Sequence, residues 1–328
     1  MIGRFARAFA KALGLLGLLG LLDMAALAQA QTAADWRPQR PVTLIVPYSP
    51  GGGTDALARF LARELSRTWE VAVNVENHPG ADGLIGSRRA VEAKPDGHTL
   101  LVQLPSLLLN RHTPGFKGVD PATQLLPVSA FAVLSGVVVA HTGIPANTMG
   151  ELMTYCKAAA KPCSFGTTEN TARMRARMLA EDVPSMVIVN YKGGGQLITD
   201  LVSRNLDVAL MGYTAVIPHM KTGSLKLIMT VGRERSPVIP EVPASIESGF
   251  PNMTSETWYA LFAPPGTPAP AIQAIAAAAQ SATRDEGFRR SIATLGATPI
   301  GNTPEQFARM LEEETRRLAD LVRRYPIQ

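Results

Sequence analysis

Cysteine is nearly absent from this 328-residue chain: there are two, Cys156 and Cys163. Neither has a histidine close by in sequence, which argues against a metal knuckle, and nothing around them supports a catalytic thiol. The five histidines, His78, His98, His112, His141 and His219, stand singly. None has the His-Glu-x-x-His spacing that would place two ligands on one helix face, so each reads as structural. The chain also lacks Gly-x-x-x-x-Gly-Lys-Ser/Thr and Gly-x-Gly-x-x-Gly, which sets aside phosphate-loop and dinucleotide chemistry. Ser49, Ser106 and Ser164 lack the Gly-x-Ser-x-Gly elbow, and no base can be paired with them. We therefore assign no catalytic residue, no metal and no cofactor, and expect a protein that is not an enzyme. Charge of one sign is scarce too. The formal excess of +5 is spread along the chain rather than massed in a basic stripe, so nucleic acid is not an expected partner.

What is present begins with a leader. Arg4, Arg7 and Lys11 precede an apolar stretch from about Ala12 to Leu22, and Ala28-Gln29-Ala30 supplies small residues before Gln31. This is the pattern of a cleavable secretory signal over residues 1–30. A membrane anchor is the competing reading, but the apolar stretch is shorter than the roughly 20 residues that span a bilayer, and Asp23 interrupts it. No cysteine follows the leader to carry a lipid, and no paired arginines mark it. Removing these 30 of 328 residues leaves 298, more than one compact core holds and comfortable for two lobes. In an oxidising compartment Cys156 and Cys163 read either as a disulfide closing a small loop or as two separate buried thiols.

Residues 42–55 carry the strongest local signal. Val42, Leu44, Ile45 and Val46 suit a buried strand, and Pro47 and Pro50 stop its ladder. Gly51, Gly52 and Gly53 then let the main chain approach a ligand where a helix opens at Asp55, whose first amides point outward with partial positive charge. Such a site suits a carboxylate. The helix to about Arg67 repeats Leu57, Leu61 and Leu65 on one face. Strands over Val71–Val75 and Thr99–Gln103 flank the turn-rich loop Glu76–Gly83 and a helix from Leu84. The proline- and glycine-punctuated residues 104–127 predict a long, mostly surface connection. Val133–Ala140 predicts the first crossing into a second lobe. A helix capped by Thr148 follows, then strands at Ser164–Gly166, Met186–Tyr191 and Leu206–Met211.

The loops after these strands, Thr167-Thr168-Glu169-Asn170-Thr171 and Lys192-Gly193-Gly194-Gly195, have the polar or glycine-rich tips of a cleft at the carboxyl ends of parallel strands. Arg173 is a candidate for gripping a carboxylate, Arg177 reads as a solvated neighbour, and Met174 and Met178 read as core. Leu225–Val231 and Trp258–Ala263 predict further strands, the latter returning to the first lobe. Thr303, Pro304 and Gln306 form a capping box for a final helix whose charged residues, Arg317 and Arg324 among them, read as a solvated face. Alternating strands and helices predict an α/β fold of mostly parallel sheets flanked by helices. The expected division is 31–132 with 256–328 for lobe 1 and 133–255 for lobe 2.

Taken in order, several weak motifs become specific. They include Arg40-Pro41-Val42, Val46-Pro47-Tyr48 through Asp55, Pro79-Gly80-Ala81 with Gly83 and Gly86, and Pro95-Asp96-Gly97-His98-Thr99. Tyr191-Lys192-Gly193, Pro218-His219, Glu247-Ser248-Gly249, Trp258-Tyr259 through Pro268, and Leu295-Gly296-Ala297 with Thr303-Pro304-Glu305 continue the series. Over nearly the whole mature chain they resemble the Bug-type periplasmic solute receptors of tripartite tricarboxylate transporters. The resemblance implies a two-lobed, type II-like periplasmic binding protein. It would act as a monomer that closes on a small organic acid and delivers it to large and small membrane subunits of a transporter. It implies a ligand site formed by Tyr48, Ser49, Gly51, Gly52, Gly53, Thr54 and Asp55 in one lobe and Thr167, Thr168, Asn170 and Arg173 in the other. Ser106, Lys192 and Gly193 lie near the same cleft. The chain departs from the family where Arg173 replaces the end of a glycine- and serine-rich loop and where Met211 stands in place of a common aspartate. Arg173 would favour a second carboxylate, whereas Glu169 would favour an amine. Alternative roles are presentation of the ligand to a membrane sensor, or hydrolysis or lysis of organic acids in the periplasm.

Overall fold

The computed structural model describes residues 36–114, 116–168, 170–191 and 194–327. The expected signal segment, Glu169, Lys192 and Gly193 lie outside the described residues. Strand β1 (Val42–Val46) leads into helix α1 (Gly53–Trp69), then β2 (Val73–Asn77), α2 (Leu84–Val91), β3 (Thr99–Gln103) and the short α3 (Ser106–Leu109). Next comes β4 (Leu126–His141), a strand of 16 residues. After it run α4 (Met149–Ala158), β5 (Ser164–Thr167), α5 (Asn170–Asp182), β6 (Val187–Asn190), α6 (Gly194–Val202), β7 (Val208–Gly212), α7 (Ile217–Lys221) and β8 (Leu225–Thr230). The chain ends with β9 (Glu256–Ala263), α8 (Ala269–Arg284), α9 (Glu286–Ala293), β10 (Ala297–Pro299) and α10 (Pro304–Arg324).

Local sequence cues set many of these elements. Leu57, Leu61 and Leu65 are all buried on one face of α1. Thr148 and Glu151 satisfy each other's backbone amides in a capping box at the start of α4, and Thr303 and Gln306 do the same for α10 with Pro304 at its first position.

Strand order is β2-β1-β3-β9-β4-β7-β5-β6, with β8 and β10 also paired to β4. β1 runs parallel to β2 and β3, and β5 runs parallel to β6 and β7. The centre is antiparallel, where β9 meets β3 and β4, and where β4 meets β7. The sheets are thus parallel on their flanks and antiparallel at the middle, because β4 is not a βαβ strand but a long passage from one half to the other, and β9 is the strand on which the chain returns to the first half. Residues 126–135 of β4 pair with β9, whereas residues 136–141 pair with β7 and β8. Each half has its own core. Leu44, Val46, Leu57, Leu61, Leu100 and Ile275 belong to the first, and Val138, Phe165, Leu179, Val208 and Ile228 to the second.

Several features depart from the sequence expectations; the crossing strand β4, expected over Val133–Ala140, begins seven residues earlier at Leu126. Residues 104–127 are not mostly superficial: Leu107, Leu108 and Leu109 are buried, because the leucine run after Pro105 packs α3 into the apolar interior despite the surrounding turn residues. The alanine-rich α8, for which no element was expected, buries Ala271, Ile275, Ala279 and Ala282 against the first core.

Cys156 and Cys163 form a disulfide, with Cα atoms 5.4 Å apart, inside the second core. Closing a loop this short limits the unfolded chain by about 2.5 kcal/mol at 25 °C. Reduction, or replacement of both cysteines by alanine, should therefore lower the unfolding midpoint by several degrees while leaving ligand affinity unchanged, measured by thermal denaturation and calorimetry. An unaltered midpoint would mean that the bridge restrains nothing.

Candidate functional site

Because β1, β2 and β3 are parallel, their carboxyl ends share one edge, and the loops leaving them build one rim of a cleft. The Tyr48 hydroxyl lies 2.9 Å from Gln103 Oε1 and 2.5 Å from Ser106 Oγ. Gln103 Oε1 accepts, also taking the Leu104 N–H at 2.8 Å, so Tyr48 donates to it and receives the Ser106 hydroxyl proton. Asp55 ties the glycine loop to the sheet. Its carboxylate accepts the Gly51 N–H at 3.0 Å, Arg59 Nε at 3.0 Å and Asn77 Nδ2 at 2.9 Å. Asn77 Nδ2 also donates to the Tyr48 carbonyl at 3.0 Å. Burial alone would raise the Asp55 pKa, but the hydrogen bonds from Arg59, Gly51 and Asn77 together with the Arg59 charge outweigh it and hold the carboxyl below its usual range.

With its base fastened, the loop presents bare main chain. Ser49, Gly51, Gly52 and Gly53 are exposed, while Thr54 and Asp55 are buried. A Cβ at Gly51 or Gly53 would meet nothing within 4 Å, and one at Gly52 would meet only the Ser49 carbonyl at 3.6 Å. Gly52 is the N-cap of α1 and brings no side-chain acceptor, so no side chain competes with a ligand for the first-turn amides.

Loop 80–83 after β2 completes this rim. Gly80, Ala81, Asp82 and Gly83 all have positive φ, between 47° and 134°. This bends the chain so that Asp82 reaches the other half, where Asn170 Nδ2 lies 3.5 Å from its carboxylate. Asp82 is open to the space between the halves yet enclosed by protein on most sides. That limited access to bulk water raises its pKa, opposed by the charge of Arg173. The same enclosure, with Arg177 alongside, lowers the Arg173 pKa, opposed by Asp82.

The second rim repeats the first. β5, β6 and β7 are parallel, and the Tyr191 N–H donates to the Thr167 carbonyl at 2.8 Å just as the His78 N–H donates to that of Val46 at 2.8 Å. Asn190 occupies the place of Asn77, as the last residue of the neighbouring strand. Its Oδ1 accepts from Thr167 Oγ1 at 3.1 Å and from Arg173 Nε at 2.7 Å. Thr167 is fully buried, and Thr168 and Asn170 are half-buried. Burial and the Asp200 carboxylate, 2.9 Å from its hydroxyl, push the Tyr191 phenol up to about 12.

Between the rims, against the crossing strands, lies a pit of about 120 Å³ whose lining includes Leu104, Leu134, Thr171, Met211 and Tyr259. Leu104 and Thr171 follow Gln103 and Asn170 directly, so pit and polar rims are continuous. A larger cavity of about 570 Å³ is lined by Val133 and Trp258 instead of Leu134 and Tyr259. Side chains alternate across a strand, so it lies on the opposite face and shares no residue with the rims.

Of the predicted residues, Tyr48, Asp55 and Ser106 gather on the first rim and Thr167, Asn170 and Arg173 on the second. Met174 is core, and Met178 packs half-buried against it. Arg177 is not simply solvated, since it donates to the Pro326 carbonyl. Likewise Arg317 donates to the Thr254 carbonyl at 3.1 Å, and Arg324 pairs with Glu181 of α5, so α10 grips the second half rather than facing only water. Asp82, Gln103, Asn77 and Asn190 also belong to the rims, although the sequence does not single them out. The available signal was that each sits at the carboxyl end of a predicted strand or in the loop that follows it. Among the described residues no three side chains are grouped to hold a metal ion.

The sequence pattern of the tripartite tricarboxylate transporter family receptors (TctC) matches residues 57–326. Protein BugT of Bordetella pertussis is 30% identical over 305 residues, covering 90% of this chain and 92% of BugT. The solved structure of the periplasmic binding protein BugD is 26% identical with a TM-score of 0.75, over 88% of this chain and 98% of BugD. MatC from Rhodopseudomonas palustris, solved with bound malate, is 27% identical with a TM-score of 0.73, over 87% of this chain and 99% of MatC.

Proposed function

This chain belongs to the tripartite tricarboxylate transporter receptor family, a family of periplasmic solute receptors, and on that premise we propose that it captures a small organic carboxylate between two lobes. The lobes are residues 31–132 with 256–328 and residues 133–255. Strand β4 joins them, changing partners between Ser135 and Gly136. The observation that carries the reading is the approach of Asp82 to Asn170 at 3.5 Å, which joins the carboxyl ends of two sets of parallel strands around one space. The malate bound by MatC supports a carboxylate. The anion is received by the exposed main chain of Gly51–Gly53 and the start of α1 on one side, and by Thr168 and Asn170 on the other. Ser106 stands near it. The loaded receptor, a monomer exported by its leader, then docks on the large and small membrane subunits of the transporter.

Micromolar capture requires about 8 kcal/mol. A single helix terminus contributes roughly 0.3–2 kcal/mol, so several main-chain donors and closure of the lobes must share the task. Calorimetry of the mature protein against monocarboxylates, dicarboxylates, amino acids and aromatic acids tests this. At least one should bind with micromolar affinity and raise the unfolding midpoint. Heat from none of them, on a folded sample, would overturn the proposal.

A further inference from the structure

We infer that the C-terminal segment is a strap that positions the second rim: Arg324, Tyr325 and Ile327, fastened to the far end of α5, hold Asn170 up to the first rim and so set ligand affinity from outside the site. This rests on the two-lobe reading above.

Helix α10 is anchored in the first half. Phe307, in its first turn, packs edge-on against Trp258 and Phe262 of β9, with ring centroids 5.6 and 5.3 Å away. Phe307 and Leu318 are buried in an apolar cluster that includes Ile45, Leu101 and Phe262. Beyond the helix end the chain stays fastened, because Tyr325 and Ile327 are buried in the same cluster. Among the described residues, Met174 of α5 is the only buried member of this cluster that residues 133–255 supply, and Met178 packs against it.

Polar contacts join the same two elements. The Tyr325 hydroxyl donates to Glu181 Oε1 at 2.8 Å, Arg324 reaches both Glu181 oxygens at 3.2 and 2.5 Å, and Arg177 donates to the Pro326 carbonyl. The Arg324–Glu181 pair is exposed to water and by itself adds little. Burial of the Tyr325 ring and of Ile327 gives the strap its hold.

Helix α5 connects this contact to the ligand site. Its 13 residues make a rod about 20 Å long that begins with Asn170, 3.5 Å from Asp82 across the cleft, and ends at Asp182, next to Glu181. Such a rod moves as one body, so withdrawing Asn170 from Asp82 turns its other end against the strap. Both contacts are made in the same conformation. Contacts formed with the rims together raise the population of the binding-competent state, and apparent affinity follows that population.

The test measures the separation of the rims without a ligand. Spin labels are placed at Ser49→Cys and Gln196→Cys, exposed positions on the two rims, and the two native cysteines are joined to each other, so only the introduced ones react. In the full mature chain, Tyr325→Ala combined with Glu181→Ala should shift the label distances to longer values, and Tyr325→Phe, which keeps the ring, should shift them less. Without labels, the double variant should bind the acids of the calorimetric panel above about three- to tenfold more weakly, in unchanged rank order. Replacing Cys156 and Cys163 by alanine, which costs stability without touching the strap, should leave the distances in place. Should the double variant fail to fold, Tyr325→Phe and Glu181→Gln decide. Distances and affinities equal to wild type, or shorter distances with tighter binding, would overturn the inference. Silence of the wild type toward every acid would remove the carboxylate reading instead, and the label distances would still decide the strap.

Discussion

Replacing Asp55 with alanine is expected to weaken the tightest-binding carboxylate by 30- to 100-fold, about 2–3 kcal/mol, and to destabilise the fold by about 2–4 kcal/mol. The side chain does three things at once: it receives the Gly51 amide, anchors Asn77, which in turn holds the Tyr48 carbonyl, and pairs with Arg59. Alanine would leave Asn77 without one acceptor and release the loop whose main chain greets the ligand. Asparagine preserves the shape but not the charge, so Asp55→Asn should fall between. The depressed pKa of Asp55 fixes the sign of the pH dependence. A carboxyl bound more loosely to its proton when folded contributes stability above its unfolded value near 3.9, and that contribution is lost as pH falls through the lower folded value. Wild type and Asp55→Asn should therefore differ at neutral pH and converge well below pH 4 in chemical denaturation. A stability loss with unchanged affinity would make Asp55 a purely structural residue.

The first half of this site was legible because its signals are local. Pro47, three glycines and an aspartate within nine residues dictate a strand end, an open turn and a helix start, and the structure places them so. The caps at Thr148 and Thr303 were readable for the same reason. What escaped the sequence depends on contacts between distant residues. Asp82 lies in a loop that looks like an ordinary turn, and only the run of positive φ from Gly80 to Gly83 sends it toward Asn170, 88 residues away. Asn77 and Asn190 look like polar strand ends until the parallel register sets each beside the loop of its neighbour. Arg175 sits one residue past the methionine expected in the core, and helical periodicity alone did not distinguish it from the half-buried Arg173 and Arg177. Its burial follows from the carbonyls of Met253 and Thr254, supplied by the segment that returns to β9.

Two glycines of the first rim should differ in what substitution does to stability, and the contrast separates framework from ligand surface. A Cβ at Gly83 would lie 2.7 Å from Gln103 Nε2 and 3.0 Å from the Tyr48 hydroxyl, on a backbone at φ 85°. Gly83→Ala therefore combines left-handed strain of about 1–2 kcal/mol with overpacking of about 1–3 kcal/mol, and it pushes apart the Tyr48–Gln103–Ser106 cluster. A loss of about 2–5 kcal/mol in denaturant unfolding should accompany reduced affinity. Gly52 has φ −78° and ψ 170°, extended backbone open to any residue, and its Cβ would touch only the Ser49 carbonyl at 3.6 Å. Gly52→Val should change stability by no more than about 1 kcal/mol, the cost of a poor N-cap. Its branched side chain nevertheless stands where the carboxylate approaches the first-turn amides, so affinity should fall more than tenfold. A Gly52→Val protein that binds its ligand as tightly as wild type would show that the anion does not come to this helix end, and the capture site would then have to be sought along the Asp82–Asn170 side of the cleft.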